Sequence, residues 1–96
     1  MIKSFGSKAT EDLYHGFDSR EARKIPQMIW KVAQRKMDML NTAAELKDLL
    51  APPGNRLERL EGGLKGKYSI RINNQYRVIF RFEEDNAFEV EIVDYH

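Results

Sequence analysis

Hydrophobic positions along the chain follow two different periods. Between Ile25 and Leu40 the spacing is helical: Ile25, Ile29, Val32, Lys36, Met37 and Leu40 fall near one face, with only Lys36 polar. This predicts a helix over 26–40, with Pro26 in the first turn, where a missing N–H costs nothing. Met28, Met37 and Met39 read as adaptable packing. Thr42-Ala43-Ala44-Glu45 has the form of a capping box, predicting a second helix from Thr42 with Leu46, Leu49 and Leu50 on its apolar face. Pro52-Pro53-Gly54 would end it, leaving Asn41-Thr42 as a helical hairpin. Upstream, Ile2 to Phe5 alternates like an edge strand, and Ala9 to Tyr14 suits a short helix.

After Arg56 the period becomes two. Tyr68, Ile70 and Ile72, then Tyr76, Val78, Phe80 and Phe82, then Phe88, Val90 and Ile92 alternate with mostly polar neighbours, predicting three strands with one buried face each. Glu83-Glu84-Asp85-Asn86 reads as the turn between the last two. A loop over Asn73-Asn74-Gln75 sets Ile72 opposite Tyr76, Arg71 opposite Arg77 and Ile70 opposite Val78. A loop shorter by one residue would mix the two faces, so this register is preferred. Asparagine suits the left-handed position such a loop calls for.

The greasy face of this sheet should carry the helices. Its other face presents Arg71, Arg77 and Arg81, and parity adds Glu89, Glu91, Val93 and Tyr95. Like charges placed directly opposite are destabilising. Arg71 and Arg77 therefore call for an anion, either a carboxylate of the last strand or a ligand phosphate. Arg81 is accounted for by Glu89 or Glu91. Upstream, Gly62-Gly63-Leu64-Lys65-Gly66-Lys67 is a flexible basic loop without the spacing of a P-loop. It reads either as a solvated turn or as a segment that tracks phosphates. Asp94-Tyr95-His96 sets a carboxylate, a stacking ring and an acid/base group side by side.

Composition narrows the class. A chain of 96 residues is one small domain, 1–96, with 42% hydrophobic residues for a thin core. There is no cysteine, hence no disulfide framework, zinc-thiolate site or cysteine nucleophile. His15 and His96 lie too far apart, without further ligands, to suggest a metal. No apolar run approaches a membrane span and no leader is evident, so a cytoplasmic protein without membrane role is expected. The net charge of +1 conceals an asymmetry. Residues 1–82 carry 16 basic and 9 acidic side chains, a net +7, whereas residues 83–96 carry 6 acids and no Lys or Arg. This fits either nucleic-acid contact or pairing of the acidic segment with basic neighbours in the fold.

Three stretches carry a resemblance: Leu57-Glu58-Arg59-Leu60-Glu61-Gly62, the run from Gly66 to Phe80 with its Tyr68-Ser69-Ile70-Arg71-Ile72 and Asn74-Gln75-Tyr76-Arg77-Val78 strands, and Asp94-Tyr95-His96. With the opening Met1-Ile2-Lys3-Ser4-Phe5, they make the chain resemble the HigB toxins, RelE-like members of bacterial type II toxin–antitoxin pairs. The resemblance implies an α+β fold, with N-terminal helices packed on a twisted antiparallel sheet. It implies a ribosome-dependent endoribonuclease that cleaves mRNA in the A site. No metal or cofactor takes part: the ribose 2′-OH attacks the neighbouring phosphate.

By the same resemblance, Arg77 stabilises charge on the phosphoryl group, His96 is the acid/base candidate, Tyr95 stacks on or positions a nucleotide, and Asp94 orients His96. Lys65, Lys67 and Arg71 hold RNA phosphates. The implied partner is a HigA-like helix-turn-helix antitoxin, with operator DNA met only through it. The chain departs from the pattern at Glu58 and Glu61, where some HigB toxins carry His and Lys. Either Lys65 or Lys67 compensates, or Glu58 serves as base, or activity is weak. Two alternatives stay open: a ParE-like toxin acting on gyrase by protein contact, and a weakly active toxin serving as operon co-repressor.

Overall fold

The computed structural model describes residues 1–95; His96 lies outside them. Helix α1 (Lys8–Tyr14) and helix α2 (Trp30–Thr42) pack on a four-stranded sheet. Its strands are β1 (Glu58–Arg59), β2 (Lys67–Arg71), β3 (Tyr76–Glu83) and β4 (Asn86–Asp94). They lie in sequence order, every pair antiparallel. The architecture is α+β, as expected.

The helical stripe is the core. Ile25, Ile29, Ala33, Met37 and Leu40 are buried and form one cluster with Ile70, Val78, Phe80, Val90 and Ile92. The predicted helix over 26–40 is in fact two pieces. Gln27–Ile29 is a single 3₁₀ turn, and the α-helix begins at Trp30 and runs on to Thr42. The Trp30 indole N–H donates to the Ile25 carbonyl at 2.7 Å, tying this entry down. Met37 packs in the core, but Met28 is 88% exposed and does not pack.

The second helix is also different. Thr42 ends α2, its hydroxyl donating back to the Asp38 carbonyl. The capping box forms three residues later, with Glu45 as cap and Asp48 accepting from the Ala44 and Glu45 amides at 3.0 Å. The element it caps is a 3₁₀ turn, Leu46–Leu50. The reason lies at Pro52-Pro53, which leaves too few residues for a propagating α-helix.

Lys36, the polar residue on the apolar stripe, explains how that turn is held. Its ammonium is buried and donates to Asn55 Oδ1 at 2.6 Å. Burial pushes its pKa below the ordinary lysine value, with the Arg35 charge adding to this. Asn55 is fully buried, and its amide donates to the Leu49 and Ala51 carbonyls at 3.2 and 3.3 Å. One asparagine thus fastens the whole segment from Leu49 to Arg56 onto α2.

The β2–β3 register is as read: Ile70 faces Val78 and Arg71 faces Arg77. The intervening turn works by a different device from the one expected. Neither Asn73 nor Asn74 has a positive φ. Instead, Asn73 Oδ1 accepts from the Gln75 and Tyr76 amides at 2.8 and 2.7 Å. The β3–β4 turn is tighter, with Glu84 and Asp85 both left-handed between the paired Glu83 and Asn86. Further along, the register shifts at a bulge where Glu89 has φ 55°. The extra residue reverses parity, so Phe88 falls opposite Arg81 on the polar face, away from the core face expected of it.

The N-terminal segment lies along the outer edge of β4 as two parallel bridges, Ile2 to Ala87 and Phe5 to Val90. A side chain at Gly6 would meet the Glu91 carboxylate at 2.8 Å and the Glu89 carbonyl at 3.1 Å, so anything larger than glycine would push on the edge of β4. Thr10 Oγ1, on α1, accepts from the Ile92 amide at 3.0 Å and links the first helix to the last strand.

Stability should respond at two of these tethers. In urea unfolding, Asn55→Ala is expected to cost about 2–4 kcal/mol, because it strands a buried ammonium and two carbonyls. Lys36→Met should cost about 1–3 kcal/mol, and the double variant less than the sum of the two. Asn73→Ala should cost about 1–2 kcal/mol and speed amide exchange at Gln75 and Tyr76, while Asn73→Asp keeps the acceptor and stays near wild type.

Candidate functional site

The polar face of the sheet is not uniformly solvated. Ser69, Arg77 and Ile79 are buried there, and so is Leu60 just after β1. The cause is β1, which pairs Glu58 with Ser69 and Arg59 with Tyr68. It covers β2 and sends the Glu58 side chain to the polar face. Arg59 goes to the other face, its guanidinium 5.9 Å from the Tyr68 ring.

Arg77 is the centre of this face, with 8% of its surface exposed. Its Nη1 lies 3.4 Å from Glu58 Oε1, and its Nη2 donates to the Arg56 carbonyl at 2.5 Å. The guanidinium carbon stands 5.7 Å from the centre of the Tyr95 ring, in cation–π range. Its Nε is buried without a hydrogen-bond partner among the described residues. The anion that Arg77 requires is therefore a carboxylate of β1, not of the last strand. Arg71, directly opposite, turns to the loop and donates to Asn74 Oδ1.

Around Arg77 opens a cleft of about 200 Å³ lined by Arg56, Arg71, Asn73, Asn74, Arg77 and Tyr95. No carboxylate lines it among the described residues. Its far wall is the chain end, held to the β2–β3 turn. The Tyr95 amide donates to the Gln75 carbonyl at 2.6 Å, and the Gln75 side-chain amide donates to Asp94 Oδ2 at 3.1 Å. Arg71, Arg77, Asp94 and Tyr95 are thus brought to one end of the sheet, with His96 next in the chain after Tyr95.

Lys65 and Lys67 do not line this cleft. Lys67 pairs with Arg81 across the strands at the other end of the face and forms an ion pair with Glu89 at 3.2 Å. Arg81 also lies 3.4 Å from Glu89 and stacks over Phe88 at 4.9 Å. Lys65 is exposed after the 3₁₀ turn Gly62–Leu64. The acidic segment does balance basic neighbours at that end, through Glu83 and Glu89.

Two participants were not singled out in the sequence. Arg56 lines the cleft and supplies the carbonyl that Arg77 uses. Gln75 secures the chain end. The available signal for Arg56 was its place just after the Pro52-Pro53-Gly54 breaker, two residues before Glu58.

Comparison with known proteins gives the family and the fold. Residues 3–96 match the family described as RelE-like toxin of type II toxin-antitoxin system HigB. Toxin HigB-1 of Vibrio cholerae is 45% identical over 87 residues, covering 91% of this chain and 90% of that protein. Among solved structures, the YoeB-YefM complex from Staphylococcus aureus contains a chain with a TM-score of 0.61 at 18% identity, covering 100% of this chain and 98% of that one. The YoeB dimer from Staphylococcus aureus gives 0.57 at 20% identity, covering 99% and 97%. At those identities the structures share the fold, and the family rests on the sequence match. Matched by that family over residues 3–96, and sharing 45% identity with one of its toxins over nine-tenths of both chains, the chain belongs to the HigB family of RelE-like toxins of type II toxin–antitoxin systems.

Proposed function

We propose that this toxin is a ribosome-dependent mRNA endoribonuclease that cleaves mRNA in the ribosomal A site without a metal. The observation that supports it best is the Arg77 guanidinium, set beside a carboxylate and an aromatic ring at a cleft whose walls are otherwise cationic or neutral. Such a cleft suits a phosphodiester next to a base. The ribose 2′-OH attacks the adjacent phosphorus, the P–O5′ bond breaks, and the products are a 2′,3′-cyclic phosphate and a 5′-OH.

Each step needs a group for which this chain supplies a candidate. Negative charge grows on the phosphoryl oxygens in the transition state, and Arg77 neutralises it. Glu58, whose carboxylate lies 3.4 Å from Arg77 Nη1, takes the proton of the 2′-OH. His96 returns a proton to the departing O5′, and Asp94 orients it. Tyr95 holds the base by its ring. Arg71 carries a backbone phosphate, and Lys65 and Lys67, at the other end of the face, contact RNA further along the strand.

The partners belong to the same reading: the ribosome and mRNA, and a HigA-like helix-turn-helix antitoxin through which alone operator DNA is met. The protein works in the cytoplasm and has no membrane role. Among the described residues no helix is long and apolar enough to cross a membrane.

The test is cleavage of mRNA on programmed ribosomes, read by primer extension. Arg77→Ala should lower the rate about 10²–10³-fold, as for a lost transition-state donor. Glu58→Gln should lower it about 10²–10⁴-fold while RNA affinity holds or rises, since a carboxylate beside the phosphate is removed. Deleting His96 should abolish growth arrest on induction. Full cleavage by all three variants, or gyrase-linked DNA damage with intact mRNA, would refute the proposal.

A further inference from the structure

The cleft holds more positive charge than one phosphodiester can use. Of its three arginines, Arg77 is paired with Glu58. Arg71 bonds only a neutral amide, Asn74, and the Arg56 guanidinium has no ion pair or hydrogen bond among the described residues. Two cations without an ion pair among the described residues therefore share a wall. Each phosphodiester of a nucleic-acid backbone carries one negative charge, so the balance matches two successive phosphates.

The backbone at Arg56 points the same way. Arg56 has φ 45° and ψ 57°, a left-handed conformation in which a β-carbon is strained and glycine is favoured. Its structural task, accepting from Arg77 Nη2, is done by a main-chain carbonyl that any residue supplies. Nothing in the fold calls for a long cationic side chain there.

We infer that Arg56 is a second backbone-phosphate ligand: it takes the phosphate that neighbours the one at Arg77, so the cleft grips two consecutive linkages of single-stranded RNA. This rests on the RNA reading of the site given above. Arg56 touches the strand but not the reacting atoms, and its contribution is to affinity and placement. The energetic signature is that of a phosphate contact: independent of base sequence and weakened by salt.

The probe is a 2′-O-methyl oligoribonucleotide, which carries the phosphates and lacks the attacking hydroxyl. Its binding is tracked by fluorescence anisotropy against salt concentration and by the arginine Nε–Hε resonances. The resonances of Arg56 and Arg77 should move along one titration curve. Arg56→Gly relieves the left-handed strain and keeps the carbonyl. It should weaken binding about tenfold and reduce the salt slope by about one, with a melting temperature equal to or above wild type. The inference fails if Arg77 responds and Arg77→Ala loses affinity while the Arg56 resonance stays still and Arg56→Gly binds as wild type. If neither resonance moves, the RNA reading fails, and the inference with it.

Discussion

The structure turns on one buried guanidinium. Arg77 sits near the start of β3 with little of its surface exposed, and a charge removed from water must be met by partners in fixed places. Those partners come from three separate parts of the chain. Glu58 arrives because β1, only two residues long, still pairs on β2. The Arg56 carbonyl arrives because the preceding turn ends left-handed. Tyr95 arrives because the chain end is tied to Gln75. Remove any of these elements and the cationic centre loses its environment before it loses its position.

This need reaches into the core. The turn that delivers Arg56 and Glu58 is held by Asn55, which is held in turn by Lys36 of α2. A lysine on an apolar helical stripe is therefore a tether between the hydrophobic layer and the cleft. The polar face shows the converse economy: arginines opposite one another and a strained residue at Arg56 oppose folding, and the buried core opposite them supplies the stability that tolerates this.

Much of this was legible in the chain because it depends on period. Alternation over Tyr68–Ile72 and Tyr76–Phe82 sets both register and face, and a one-residue slip would bury the arginines on the helical side. The stripe from Ile25 to Leu40 likewise marks the core. What escaped depends on single residues acting at a distance. Thr42 and Glu45 have the letters of a capping box, yet the helix behind them lacks room before Pro52. The bulge at Glu89 has no signature in composition and moves Phe88 to the other face. Arg77 was assigned an anion correctly in kind, but the donor strand, β1, is too short to show as a pattern. Arg56 and Gln75 each act in part through a main-chain carbonyl, which no sequence motif reports.

The N-terminal segment bears on association. It is the cover of β4, whose outer edge would otherwise offer open amides and carbonyls to a strand of another molecule. The contact joins Ser4 to Glu89, 85 residues apart, and so distant a pairing costs much loop-closure entropy. Without it the sheet would have a bare flank. The first six residues thus close an edge that an uncovered sheet would present to a second strand.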